Sequence, residues 1–156
     1  MTVQEKINIW LNDSKLALIQ SYDSKNLRAS GNWPNELEGK SEIGLTNYKV
    51  QMLGSAYTGV LENGRKPNAN QSNIKAWVGW AGSTFLKDWV QRKGINASPY
   101  AVAYKIARKG ITVPNQFNPG GLVSDVFKIE RINKLISDIG FVILTDLRSD
   151  VIKQFK

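Results

Sequence analysis

Glu36, Glu38 and Glu42 stand close together in the chain, with Glu62 further on, and these carboxylates are its best acid–base candidates. Paired carboxylates can hydrolyse a glycosidic bond or hold Mg²⁺. An enzyme built on this chain would therefore be a carboxylate-dependent nuclease or glycosidase centred on Glu36, Glu38 or Glu62. Glutamates at alternate positions, as at 36 and 38, are also the ordinary signature of the wet side of a half-buried strand. The sequence contains no histidine and no cysteine. That removes the usual general base near neutral pH and the commonest transition-metal ligand. It also excludes disulfides, thiolate sites and Ser–His or Cys–His nucleophiles. Carboxylate, Lys, Tyr, Ser or Thr chemistry remains, and nothing supplies the convergent acid, base and electrophile that a site requires. The expectation is a chain without catalysis, metal or cofactor.

Binding chemistry is better represented. The net charge of +8 is unevenly spread: residues 1–64 carry −1, residues 65–110 carry +8 and residues 111–156 carry +1. The middle third holds Arg65, Lys66, Lys75, Lys87, Arg92, Lys93, Lys105, Arg108 and Lys109 against Asp88 alone. Trp77, Trp80, Trp89, Tyr100 and Tyr104 are interleaved with them. Cations neutralise phosphates and rings stack on bases, so this is one signature of nucleic-acid contact. Two other readings compete with it: a solvated helical surface whose aromatics face the core, and a basic face that meets an acidic neighbour in an oligomer. Lys105, Arg108 and Lys109 are the residues expected to face DNA or such a partner.

The elements that must position these side chains follow from periodicity. At 156 residues, with 42% hydrophobic and 22% charged residues, one globular domain is expected over 1–156. Val3, Ile7, Trp10, Leu11, Leu18, Ile19 and Tyr22 predict an amphipathic helix over 3–22, with Thr2 and Glu5 as a capping box. Residues 27–35 read as a loop. Residues 36–54 predict a two-stranded hairpin turning at Thr46-Asn47, with Glu36, Glu38 and Glu42 on one face. A helix over about 73–80 is expected with Ser72 as N-cap, and a short one over 84–93 stopped at Gly94. A further helix over 100–109 has Ser98-Pro99 at its start and Gly110 at its end. Pro114, Asn115, Asn118, Pro119, Gly120 and Gly121 mark a mobile extended loop. The tail is helical, with one stripe of Val126, Ile129, Ile132, Leu135, Ile136 and Ile139 and another of Ile143, Leu147, Val151 and Phe155. Gly140 is expected to hinge the two, or the second part to begin as a strand. Residues 1–6 lack a basic region followed by an apolar run, so no signal peptide is expected, and residues 140–144 are too few to span a bilayer. A soluble protein without a membrane partner is the expectation.

Two stretches carry a family resemblance. The first is Ala56-Tyr57-Thr58-Gly59-Val60-Leu61-Glu62-Asn63-Gly64-Arg65-Lys66-Pro67. The second is Trp89-Val90-Gln91-Arg92-Lys93-Gly94-Ile95, with Ser98 to Ile111 and Asn118-Pro119-Gly120-Gly121 after it. In this order, after a helix and a hairpin, they resemble the tail-completion and head–tail joining (neck) proteins of tailed double-stranded DNA phages. The chain departs from the shorter members by a basic helical insert at about 70–110. The resemblance implies an α+β fold: an N-terminal helix, a small antiparallel sheet with a hairpin, several middle helices and a C-terminal helix packed on the sheet. It implies a non-enzymatic virion subunit, made in the bacterial host cytoplasm, that forms a homo-oligomeric ring. Its implied partners are other neck, portal or tail proteins and packaged double-stranded DNA in the channel. Tyr57, Glu62, Gly64, Arg65 and Lys66 are the candidate interface or turn residues, with Glu62 and Arg65 either anchoring the turn, pairing across a subunit contact or standing in a solvated turn. Pro114, Pro119, Gly120 and Gly121 are the candidate docking loop. The alternative is a free, basic nucleic-acid-binding protein using segment 65–110.

Overall fold

The structure is a computed structural model that describes residues 1–28, 32–44 and 47–154. Its first helix, α1 (Val3–Ser24), begins at the expected capping box. The Glu5 N–H donates to Thr2 Oγ1 at 3.2 Å and the Thr2 N–H to Glu5 Oε2 at 2.7 Å, satisfying two otherwise orphaned donors. Ile7, Leu11, Ser14, Leu18 and Tyr22 fall on one face at helical spacing, and all are buried.

That face meets an antiparallel hairpin of β1 (Glu38–Ile43) and β2 (Tyr48–Leu53), paired Glu38 with Leu53 through Ile43 with Tyr48. Gly39 lies under Leu11, where a Cβ would come within 3.0 Å of that side chain. The Gly44 N–H donates to the Asn47 carbonyl and closes the turn; Thr46 lies outside the described residues. Glu36 is not in the strand. Pro34 fixes a helical φ and Trp33–Glu36 form a 3-10 turn, so Glu36 leaves the face shared by Glu38 and Glu42. Those two carboxylates are exposed and pair with Lys40 (3.3 Å) and Lys49 (3.7 Å).

The main core gathers Leu18, Tyr22, Leu27, Trp33, Leu37, Leu61, Leu122 and Val126. Trp33 stacks on Tyr22 with ring centroids 4.7 Å apart. Its indole N–H donates to Thr58 Oγ1 at 2.8 Å, which satisfies the buried ring's polar end. Thr58 belongs to α2 (Tyr57–Asn63), which ends at Gly64.

The insert forms α3 (Gln71–Ser83), α4 (Phe85–Arg92) and α5 (Pro99–Lys109) around Ala81, Leu86 and Ala103. The cap of α3 is Asn70 rather than Ser72. The Asn73 N–H donates to Asn70 Oδ1 at 2.9 Å, and the Ser72 hydroxyl only reinforces that oxygen. Ser98 precedes α5 with Pro99 at the first helical position, but its side chain makes no cap hydrogen bond.

The last helix, α6 (Ile129–Gln154), runs unbroken through Gly140, so neither a hinge nor a strand occurs there. A lone glycine in a helix costs only about 1 kcal/mol, too little to stop one. Val126 lies before α6 and belongs to the main core. Leu135 of α6 packs with Ile7 and Leu11 of α1, joined by Val50 and Met52 of β2. Ile139 packs partly buried against the same cluster, whereas Ile129, Ile132, Ile136, Ile143, Leu147 and Val151 are exposed, and Phe155 lies outside the described residues.

Leu122 is fully buried, so Leu122→Ala is expected to cost about 2–5 kcal/mol in urea unfolding. Gly59 sits inside α2, and a methyl group added there would meet nothing within 4 Å. Gly59→Ala is therefore expected to stabilise the fold by about 0.5–1 kcal/mol in the same measurement.

Candidate functional site

The segment from Tyr57 to Lys66 is the first candidate, and the fold uses most of it internally. Gly64 has φ +80° and Gly110 φ +75°. Between them Arg65 and Ile111 form an antiparallel bridge, with Arg65 N–H to Ile111 O at 2.9 Å and Ile111 N–H to Arg65 O at 2.7 Å. The Arg65 guanidinium lies 3.9 Å from the Trp77 ring centroid and donates to Asn68 Oδ1 at 2.6 Å. Burial pushes that guanidinium below its ordinary pKa, and Nη1 finds no hydrogen-bond acceptor among the described residues. Its charge is met by the ring face instead.

Glu62 does not pair with Arg65. Its carboxylate accepts from the Val123 N–H at 2.8 Å and the Ser124 N–H at 3.2 Å. Burial raises its pKa, but the hydrogen bonds from Ser124 and from these backbone groups outweigh burial, and the net shift is downward. Tyr57 and Lys66 remain exposed.

The Pro/Gly loop is fastened to the same place. Asn115 and Asn118 form a bridge, and the Asn118 side chain, 8% exposed, donates to the Leu61 carbonyl at 2.7 Å. The Gly120 N–H donates to Asn118 Oδ1 at 2.9 Å. Gly120 is buried and Gly121 half-buried, both at positive φ, while Pro114 and Pro119 face outward. The loop is thus bound at Ile111 and at Asn118–Gly120, and Phe117 packs edge-on against Trp89 of α4 with ring centroids 5.5 Å apart, which confines any freely presented part to the stretch around Pro114. The turn candidates and the loop candidates are brought together around α2.

The basic candidates are separate from that junction. Lys105, Arg108 and Lys109 lie on the outer face of α5, and with Tyr104 they line a shallow open depression. Tyr104 and Arg108 are one helical turn apart: the guanidinium lies 5.7 Å from the ring centroid and donates to the phenol oxygen at 3.2 Å. Lys66, Lys75, Lys87 and Arg92 are also exposed, whereas Lys93 is used internally, donating to the Asn26 carbonyl. The glutamates stand apart: Glu36 on the 3-10 turn, Glu38 and Glu42 on the hairpin, Glu62 inside α2. Among the described residues no group of three His, Cys, Asp or Glu could hold a metal ion, and no helix is long and apolar enough to cross a membrane.

Sequence reasoning missed what α6 does with its apolar residues. α1 covers the face carrying Leu135 and Ile139, Val142 is the last buried residue of α6, and every described residue from 143 to 154 is exposed. Ile129 and Ile136 are each 62% exposed and Leu147 59%. Periodicity marks these residues as packing residues, but it does not say against what. No protein-family model, curated protein or solved structure matches the chain.

Glu62→Ala is expected to lower stability by about 1–3 kcal/mol at neutral pH, because two N–H donors lose their acceptor. With a folded pKa below the ordinary value, the native carboxylate's contribution is complete above the unfolded glutamate range. It is lost as pH falls through the folded value. Urea unfolding of both proteins from neutral to strongly acidic pH should show their difference shrinking.

Proposed function

We propose that this chain is a structural subunit of a tailed-phage particle, a neck or tail-completion protein at the head–tail connector. It acts by burying its surfaces on copies of itself in a ring and on neighbouring portal, neck or tail proteins, and it performs no reaction. The resemblance of residues 56–67 and 89–121 names the class. The observation that carries the assembly role is α6, which presents an apolar face with no cover from the described residues of its own chain. Large contiguous apolar surfaces on a monomer mark sites of interaction with other proteins. The tethered 111–121 loop and the Glu62 anchor support this reading in a second way, since they fix the base from which α6 projects.

A second reading is favoured by one specific feature, the outer face of α5. Tyr104, Lys105, Arg108 and Lys109 present three cations beside a ring, a combination suited to phosphate contact. In a connector this face would line or approach the DNA channel; in a free protein it would bind nucleic acid directly.

Purified particles of the source phage are expected to contain the chain at a fixed ratio to the portal protein, measured by quantitative mass spectrometry; its absence would overturn the connector reading. For the α5 face, fluorescence anisotropy on duplex DNA should show salt-dependent binding. The triple substitution Lys105→Gln, Arg108→Gln, Lys109→Gln should reduce the slope of log K against log salt by about 3. Unchanged retention on DNA would remove the second reading.

A further inference from the structure

Ile129, Ile132, Ile136, Ile143, Leu147 and Val151 form an exposed stripe on α6, with the half-buried Gly140 in step at its centre. The spacing runs three, four, four and then repeats, an eleven-residue period close to that of a straight helix. The stripe therefore stays on one face along the whole helix. It is distinct from the face of Leu135 and Ile139 that packs on α1.

The stripe is self-complementary about Gly140. Ile129 and Val151 stand at equal distances before and after it, as do Ile132 and Leu147, and Ile136 and Ile143, to within one residue. When two copies of α6 are laid antiparallel with Gly140 on Gly140, every large apolar residue of one stripe faces a large apolar residue of the other. Nothing lies within 4 Å of a Cβ position at Gly140, so the two backbones can approach closely at the crossing.

The flanking charges agree with the same register. Glu130 and Arg148 lie on one flank of the stripe and Asp150 on the other, with Lys128 immediately before the first turn of α6. Antiparallel alignment brings Arg148 within reach of the partner's Glu130, and Lys128 at the start of the helix toward the partner's Asp150. Antiparallel helices also oppose their dipoles favourably. The six large stripe residues expose on the order of 600 Å², not far below the ~800 Å² per partner of a standard interface, and the charged flanks add to it.

We propose that α6 is a self-recognition surface whose occupant is α6 of a second copy, antiparallel and centred on Gly140. This deepens the assembly reading and rests on it. The contact is isologous and closes on two copies, so it describes the free subunit, and a ring requires a different, head-to-tail contact.

The chain has no cysteine, so single cysteines report the register directly. Light scattering of the full chain should give twice the 17.4 kDa chain mass, with Ile136→Asp and Leu147→Asp each giving monomer of unchanged far-UV circular dichroism. Under mild oxidation Gly140→Cys should cross-link to itself and Leu147→Cys should not. Mixed Ile132→Cys and Leu147→Cys proteins should cross-link to each other. Arg148→Glu should weaken pairing about tenfold or more, with Glu130→Arg added to it restoring pairing. A monomeric wild type, efficient self-cross-linking of Leu147→Cys, or a dimer untouched by both aspartates would each overturn the proposal. The last two would leave the assembly reading standing, while absence from particles would sink the connector class without touching the α6 pair.

Discussion

The architecture depends on one two-residue bridge, Arg65 with Ile111. It forms only because Gly64 and Gly110 flank it in left-handed backbone. A Cβ on Gly64 would lie 2.1 Å from the Ile111 oxygen, and one on Gly110 would lie 2.2 Å from the Arg65 oxygen. No other residue type tolerates both the positive φ and the close approach. The bridge joins the two ends of the insert, so α3, α4 and α5 enter and leave the fold at one point. The Asn68 N–H to Ala107 carbonyl bond at 2.7 Å and the Arg65–Trp77 stack extend the same seam. An insert closed at its base can carry a small core of its own, around Ala81, Leu86 and Ala103, without disturbing the packing of α1 on the hairpin.

The bridge also sets the path of the chain beyond Ile111. From there the backbone turns over α2, where Asn118 takes the Leu61 carbonyl and Glu62 takes the Val123 and Ser124 N–H groups. Leu122 and Val126 are thereby delivered to the main core. Lys25 reaches Asp125 at 2.8 Å and secures the same turn to the end of α1; this pair is open to solvent on the Asp125 side, so it adds register more than stability. Only after these fixings does α6 start, lying against α1 with the Trp10 indole N–H donating to the Arg131 carbonyl at 3.1 Å. The polar contacts over α2 thus fix where α6 starts, and the packing of Leu135 on Ile7 and Leu11 of α1 sets its course.

Much of this was legible in the sequence where the signal is local. Thr2 with Glu5, Pro99 with Gly110, and the alternation on either side of the hairpin turn each encode their structure within a few residues, and the α+β order of elements followed from them. The failures share a physical cause. Glu36 reads as strand by alternation, but Pro34 two residues earlier imposes a turn. Asn70 and Ser72 are both good caps, and only the position of Asn73 decides between them. Glu62 has no sequence signal at all as a cap for residues sixty positions away. The loop rich in proline and glycine reads as mobile because the asparagine side chains that fasten it find partners only in the folded chain.

The α6 stripe is the deepest of these failures, because a repeat of apolar residues is the same whether the cover comes from the same chain or from another. What separates the two cases is the supply of surface. α1 and the hairpin are only large enough to cover one face of α6 and only its first half, as the exposure of residues 143–154 shows. Charge follows the same division. The described residues of α6 hold Glu130, Asp138, Asp146 and Asp150 against Arg131, Lys134, Arg148 and Lys153, a balanced set, while the excess of positive charge sits in residues 65–110. A neutral helix can approach its own copy without the repulsion that would oppose contact between two inserts. The chain thus carries an apolar, charge-balanced helix and a basic insert as separate elements, with the Arg65–Ile111 seam closing the base of the insert and Lys93 and Trp89 tying it to Asn26 and Phe117.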